Sequence, residues 1–224
     1  MDSCAQIGLP VYILAGGSNR RFGSDKARAL LWGEPLLLHV VDALARWAGA
    51  VSVIADRADK YSDLGLRTLA DQEPGLGPVG GLARALEDLG REQCVSRALG
   101  PHSRGGSPPR APGEWLLLTP CDLIGIQPGW LHLLQDHQHE GARVAAFRGE
   151  RWQPLPALFH AAALDDVRAF LARGQRALWR LIESMPHAQI PLPDDWNLAV
   201  QVNSVEDLVA LARGRGSTAR PRPT

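Results

Sequence analysis

Two residues stand out for the chemistry their surroundings would allow: Lys26, in a glycine-rich turn, and Asp122, in a turn that closes an apolar run. The first turn reads LAGGSNRRFGSDKA, Leu14 to Ala27. Gly16 and Gly17 let backbone N–H groups approach an anion closely. Arg20, Arg21 and Lys26 can neutralise a polyphosphate, the lysine as a compact point charge. Two familiar loops are excluded. The ATPase loop needs a hydroxyl after its lysine to hold magnesium, and Ala27 stands there. The dinucleotide fingerprint needs G-x-G-x-x-G running into a helix, a spacing that Gly16-Gly17-Ser18 lacks. The remaining readings are a phosphate loop of another kind or a plain turn with solvated charges.

The second turn is Thr119-Pro120-Cys121-Asp122. A lone carboxylate at a strand end suits Mg²⁺, which usually takes one or two carboxylates and completes its shell with substrate phosphates. The same aspartate could instead cap the following segment. A third loop, DQEPGLGPVGG from Asp71 to Gly81, precedes a helical pattern whose N-terminus favours an anion or a polar ligand. Asp71 would accept from ribose hydroxyls or base N–H groups, or else stand exposed on a rigid Pro-Gly turn. The last candidate is Asn203, at the end of a late strand, where it could face the same rim. Ser204-Val205-Glu206-Asp207 beside it reads as a capping-box start for the final helix.

These residues need a scaffold that presents loops on one side. Val11–Leu14, Val51–Ala55 and Trp115–Thr119 read as buried strands, with Gly65–Leu69 and Arg143–Phe147 as further ones. Helical patterns start at Pro35, cover about Gly81–Leu89 and Trp130–His139, and return at Leu164–Ala172, Ala177–Glu183 and Ser204 to about Ala212. Strands alternating with helices predict an α/β fold, doubly wound, with a mostly parallel sheet covered on both faces. Ligands in such folds sit beyond the carboxyl ends of the strands. Both glycine loops and Asp122 follow strands, so they are expected on one rim.

The chain of 224 residues carries 24 Lys and Arg against 24 Asp and Glu. A formal charge of zero argues against a bulk nucleic-acid binder. The three cysteines, Cys4, Cys94 and Cys121, give neither a disulfide framework nor a zinc spacing, and Cys121 reads as a small buried residue. No signal peptide or membrane-length apolar run is apparent, so a soluble cytoplasmic protein is expected. The expected organisation is one domain over 1–212. Gly90–Glu114, rich in Gly, Pro, Ser and Arg, is read as a flexible surface insertion, and 213–224 as a disordered tail.

The ordered set of motifs resembles the molybdenum cofactor guanylyltransferases, the MobA-like nucleotidyltransferases. The resemblance rests on Leu14-Ala15-Gly16-Gly17, Arg20-Arg21-Phe22-Gly23, Asp25-Lys26, Asp71 before Gly77-Pro78-Val79-Gly80-Gly81, and Pro120-Cys121-Asp122. Gly149–Phe159 is similar to the acceptor-side segment, and Arg173–Glu183 to the Gly-x-Arg helix after it.

The resemblance implies a Rossmann-like nucleotidyltransferase fold and transfer of GMP from GTP to the phosphate of molybdopterin. Leu14, Ala15, Gly16, Gly17, Lys26, Asp71 and Asp122 would bind the nucleotide. Lys26, Asp122 and Arg21 would act in catalysis, Arg20 or Arg21 steadying pyrophosphate, and Asp122 would hold Mg²⁺. Molybdoenzyme maturation proteins are the implied further partners. The chain departs from the family in having Ile54-Ala55-Asp56-Arg57 where Asn-Ala-Asn-Arg is common, Asp122-Leu123-Ile124 for Asp-Met-Pro, and Gln201-Val202-Asn203 for Asn-x-Asn. Ile54 offers no side-chain hydrogen bond to a base. A CTP-dependent form, another phosphorylated acceptor such as a sugar or polyol phosphate, and a non-catalytic cofactor-binding accessory protein are the alternatives. A magnesium carboxylate speaks against the last.

Overall fold

A computed structural model describes residues 8–16, 22–23, 25–45, 47–71, 75–99, 114–138 and 141–214, with the backbone alone for 92–99. The strands are β1 (Leu9–Leu14), β2 (Leu30–Leu31), β3 (Glu34–Pro35), β4 (Ala48–Ala55), β5 (Thr68–Ala70), β6 (Trp115–Pro120), β7 (Leu123–Ile124), β8 (Val144–Arg148), β9 (Trp152–His160), β10 (His187–Pro191) and β11 (Val200–Gln201). The helices are α1 (Leu36–Ala45), α2 (Gly77–Leu99), α3 (Pro128–Asp136), α4 (Leu164–Ala172), α5 (Leu178–Glu183) and α6 (Val205–Gly214).

Seven strands form one sheet in the order β10-β8-β9-β6-β1-β4-β5. All neighbours are parallel except those of β9, which runs antiparallel to both β6 and β8. Two short antiparallel pairs, β2 with β3 and β7 with β11, stand apart from it.

Side chains of a strand point alternately to the two faces, and β1 separates the two cores accordingly. Val11 and Ile13 pack with Leu37, Val40 and Leu44 of α1 and with Trp130, Leu131 and Leu134 of α3. Tyr12 packs on the other face with Leu82, Leu86 and Leu89 of α2, Val167 and Phe170 of α4, and Leu181 of α5. Each fully buried side chain of this size contributes about 1.5–3 kcal/mol, so both faces hold their helices firmly. Helix α6 packs on a third, smaller cluster containing Leu31, Leu36 and Val202. The doubly wound, mostly parallel arrangement expected from the sequence is the one found.

Two expectations need correction. Gly90–Leu99 is not loop but the continuation of α2, which starts at Gly77 rather than Gly81. Residues 91–99 contain neither Gly nor Pro, so nothing in them breaks a helix before Gly100-Pro101. The remainder of the expected insertion, 100–113, lies outside the described residues. So does the tail from 215 on, whereas Arg213 and Gly214 belong to α6. Among the described residues no helix is long and apolar enough to cross a membrane.

Candidate functional site

Backbone hydrogen bonds stitch the strand ends into a rim. Past the strands, the Ala15 N–H donates to the Ile54 carbonyl (2.9 Å), Asp71 N–H to Ala55 (2.6 Å) and Cys121 N–H to Leu14 (3.0 Å). Leu14, Ala15, Gly16, Asp71 and Asp122 therefore stand along one edge of the sheet, at the carboxyl ends of β1, β5 and β6. The first turn of α2 lies directly on this edge. A Cβ added at Gly81 would sit 2.5 Å from Leu14 Cδ2 and 3.7 Å from Ile54 Cγ2, so glycine is what permits the approach. Gly17, Arg20 and Arg21 lie outside the described residues.

Lys26 opens a single 3₁₀ turn, Lys26–Arg28, which Asp25 caps by accepting from the Ala27 N–H (3.1 Å). From this turn the Lys26 ammonium forms an ion pair with Asp122 Oδ2, although 96 residues separate them. The two side chains are 15% and 11% exposed. Asp122 Oδ1 is buried and makes no hydrogen bond among the described residues. An orphaned carboxylate oxygen in the interior is costly unless a partner is supplied. Among the described residues no three His, Cys, Asp or Glu side chains gather as a metal cage. A cation here would have a single protein carboxylate and would need phosphates and water for the rest, which is how Mg²⁺ binds at nucleotide sites. The donor set fits that ion.

Asp71 is half-buried, and its Oδ1 would lie 3.6 Å from a Cβ at Gly80. It also lines a cavity of about 350 Å³ between α2 and α4, with Leu76, Arg84 and Arg168 among its walls. Neither Lys26 nor Asp122 lines that cavity, so it adjoins the Asp71 end of the rim alone. Ile54 is 2% exposed and belongs to the core under α2. At this position the chain has an apolar side chain that packs in the core. Asn203 is brought near Asp122: β11 pairs with β7, and the Val202 N–H donates to the Asp122 carbonyl (2.9 Å). Asn203 is exposed and its backbone N–H donates to the Asp207 carboxylate (2.8 Å), so the residue supports the helix cap rather than Asp122. Cys121 is buried, and burial, reinforced by the neighbouring Asp122 charge, pushes its thiol up to about 12.

The sequence reading missed a group of residues behind Lys26. Tyr61 is fully buried, and its hydroxyl donates toward both oxygens of Asp25 (3.2 and 3.1 Å) and approaches the Ala15 carbonyl (3.4 Å). Lys60 lies 3.3 Å from Asp25 and 2.7 Å from Asp56. Arg28 forks onto both oxygens of Asp63 (2.8 and 2.7 Å) and donates to the Lys60 carbonyl (2.6 Å). The only local signal was Asp25 preceding a lysine. The partners that tie Asp25 to the rest of the molecule, Tyr61 and Lys60, lie more than thirty residues away.

Residues 11–189 match the MobA-like NTP transferase domain. Over 210 residues the chain is 35% identical to a probable molybdenum cofactor guanylyltransferase of Deinococcus radiodurans, a match covering 93% of this chain and 95% of that protein. A protein of the same name from Synechococcus elongatus is 30% identical, with coverage of 89% and 95%. Among solved structures, the molybdopterin-guanine dinucleotide biosynthesis protein A of Archaeoglobus fulgidus shares the fold with a TM-score of 0.70 at 18% identity, covering 94% of this chain and all of that one.

Proposed function

We infer that this chain, which belongs to the MobA-like NTP transferase family, moves GMP from GTP to the terminal phosphate of molybdopterin and releases pyrophosphate. The observation that carries the reading is the meeting of Lys26 and Asp122 on the rim beside the glycine loop. The reading is supported by relatives named as probable molybdenum cofactor guanylyltransferases, whose similarity spans nearly the whole chain.

In the reaction an oxygen of the acceptor phosphate bonds to the α-phosphorus. The bond from that phosphorus to the bridging oxygen breaks, and pyrophosphate leaves with the electron pair. No covalent enzyme intermediate is required. Positioning and charge neutralisation do the work. Lys26, with the amides of Gly16 and Gly17, holds the phosphates, and Arg21 steadies the leaving pyrophosphate, while the Ala15 N–H stays on the Ile54 carbonyl and fixes the start of the loop. Asp71 receives hydrogen bonds from the ribose or the base. Asp122 would hold Mg²⁺, which when bound neutralises the phosphates and polarises the α-phosphorus. Cys121 stays out of the chemistry because a buried thiol with so high a pKa supplies no thiolate nucleophile.

The test is pyrophosphate release from GTP, CTP and ATP, each offered molybdopterin or a panel of sugar phosphates with Mg²⁺. Release is expected with GTP and molybdopterin. Lys26→Ala and Asp122→Ala are each expected to lower turnover about a hundredfold or more while melting as folded proteins. Equal release with CTP or with a sugar phosphate would reassign the substrates, and undiminished release from both variants would remove the assigned site.

A further inference from the structure

We propose that Tyr61 is a positioning residue for the phosphate-binding lysine, acting through Asp25; this rests on the role given to Lys26 above. Lys26 sits at the start of a three-residue turn, too short to hold itself by its own hydrogen bonds. What fixes the turn is Asp25, whose Oδ1 takes the Ala27 N–H. What fixes Asp25 is Tyr61, whose hydroxyl lies within 3.2 Å of both carboxylate oxygens. The same hydroxyl faces the Ala15 carbonyl at 3.4 Å, so one buried atom touches both arms of the glycine loop, the strand end before it and the lysine turn after it.

Tyr61 is well suited to that position. Two cations lie over its ring, Arg28 at 5.2 Å and Lys60 at 5.6 Å from the ring centre. Those cations are themselves tied to Asp63 and Asp56. The 60–63 segment thus clamps the 25–28 turn by side chains from both. Burial first, and then the Asp25 charge, raises the phenol's pKa, so the hydroxyl keeps its proton and remains a donor. Asp25 is only partly buried and keeps Lys60 at 3.3 Å when the hydroxyl is lost. Tyr61, however, is the donor that reaches both of its oxygens, so its loss frees the carboxylate to shift toward Lys60 and to move the turn that carries Lys26.

The test is a double-mutant cycle read by calorimetric binding of GTP with Mg²⁺. Tyr61→Phe keeps the ring and removes only the hydroxyl. Asp25→Asn keeps the acceptor for Ala27 but removes the charge that the hydroxyl faces. Both are expected to weaken GTP binding about tenfold in the otherwise unaltered protein, and to have no further effect when Lys26 is already alanine. A residue that merely supports the fold would weaken binding equally with and without Lys26, and that result overturns the proposal. So would a Tyr61→Phe protein that binds GTP as the parent does. If instead Lys26→Ala alone leaves GTP affinity unchanged, the functional reading of Lys26 fails, which is a different outcome from the failure of Tyr61.

Discussion

Cys121 stands one residue from the candidate metal carboxylate and bonds through its N–H to the Leu14 carbonyl, so its position is fixed by the sheet rather than by its sulfur. Buried in the core of α1 and α3, its thiol is pushed up to about 12. Folded protein treated with iodoacetamide at about pH 8 should therefore leave the Cys121 peptide unmodified by mass mapping, and unfolding in urea should expose it to full alkylation. Rapid labelling of that peptide in the folded protein would contradict the burial. At this scale the sequence was informative where the chemistry is local. Lys26 and Asp122 lie in short motifs of fixed order, and each motif can be read without knowing the other. Tyr61 was invisible because the hydrogen bonds that tie it to the site go to Asp25 and Ala15, 36 and 46 residues away. A tyrosine ending one segment carries no pattern that announces such partners.

Helix α6 brings the capping argument down to measurable energies. Ser204 Oγ accepts from the Asp207 N–H (3.2 Å), while the Asp207 carboxylate accepts from the N–H groups of Asn203 (2.8 Å) and Ser204 (2.9 Å). Those two backbone donors, Asn203 first, hold the Asp207 carboxyl below its usual range. The capping box was legible because it needs only Ser-x-x-Asp ahead of an apolar stripe. Ser204→Ala should cost about 1 kcal/mol, read as a lower urea midpoint. Because Val202, two residues earlier, is tied to the Asp122 carbonyl, a loosened cap lies next to the site. An unchanged midpoint would mean that the Asp207 half of the box suffices. Strand β9 was not legible for the opposite reason. Pro154 and Pro156 argue against a strand, since proline cannot donate to a ladder. The sheet tolerates them because the register with β8 slips there: Ala146 faces Ala157, but Phe147 already faces Gln153, so residues 154–156 have no partner on β8. The extent of α2 was misjudged by the same kind of shortcut, composition being taken as loop although the helix runs through Gly90 and residues 91–99 hold neither Gly nor Pro.

Alternation of strands with helices foretold the parallel ladder from β6 through β1 and β4 to β5, and with it the rim where the loops meet. It did not foretell the reversal at β9, because strand direction depends on which neighbour the chain returns to rather than on any residue within it. The parallel half of the molecule is also held by a buried charge that joins its layers. Asp88 on α2 is 4% exposed. It receives both nitrogens of Arg67 (2.7 and 2.9 Å), just before β5, and the hydroxyl of Tyr12 on β1 (3.0 Å), while Arg67 also reaches Ser52 on β4 (2.8 Å). Burial by itself would raise the Asp88 pKa; the Arg67 fork and the Tyr12 hydroxyl outweigh it and leave the carboxyl below its usual range. The folded state therefore binds this proton less readily than the unfolded chain does. The stabilisation is complete above the unfolded pKa of about 3.9 and is lost as pH falls through the lower folded value. Asp88→Asn keeps the shape but gives up the charge. It should cost about 2 kcal/mol near neutral pH, at the modest end for charged hydrogen bonds because half of Arg67 is already in water. Urea midpoints of parent and variant, followed from about pH 7 to about pH 2, should stay apart down to about pH 4 and converge below it, as the parent's carboxylate is neutralised. A gap that stays constant over that range would show that Asp88 contributes through packing and not through its charge, and the link between α2 and the strands would have to be sought in the apolar core alone.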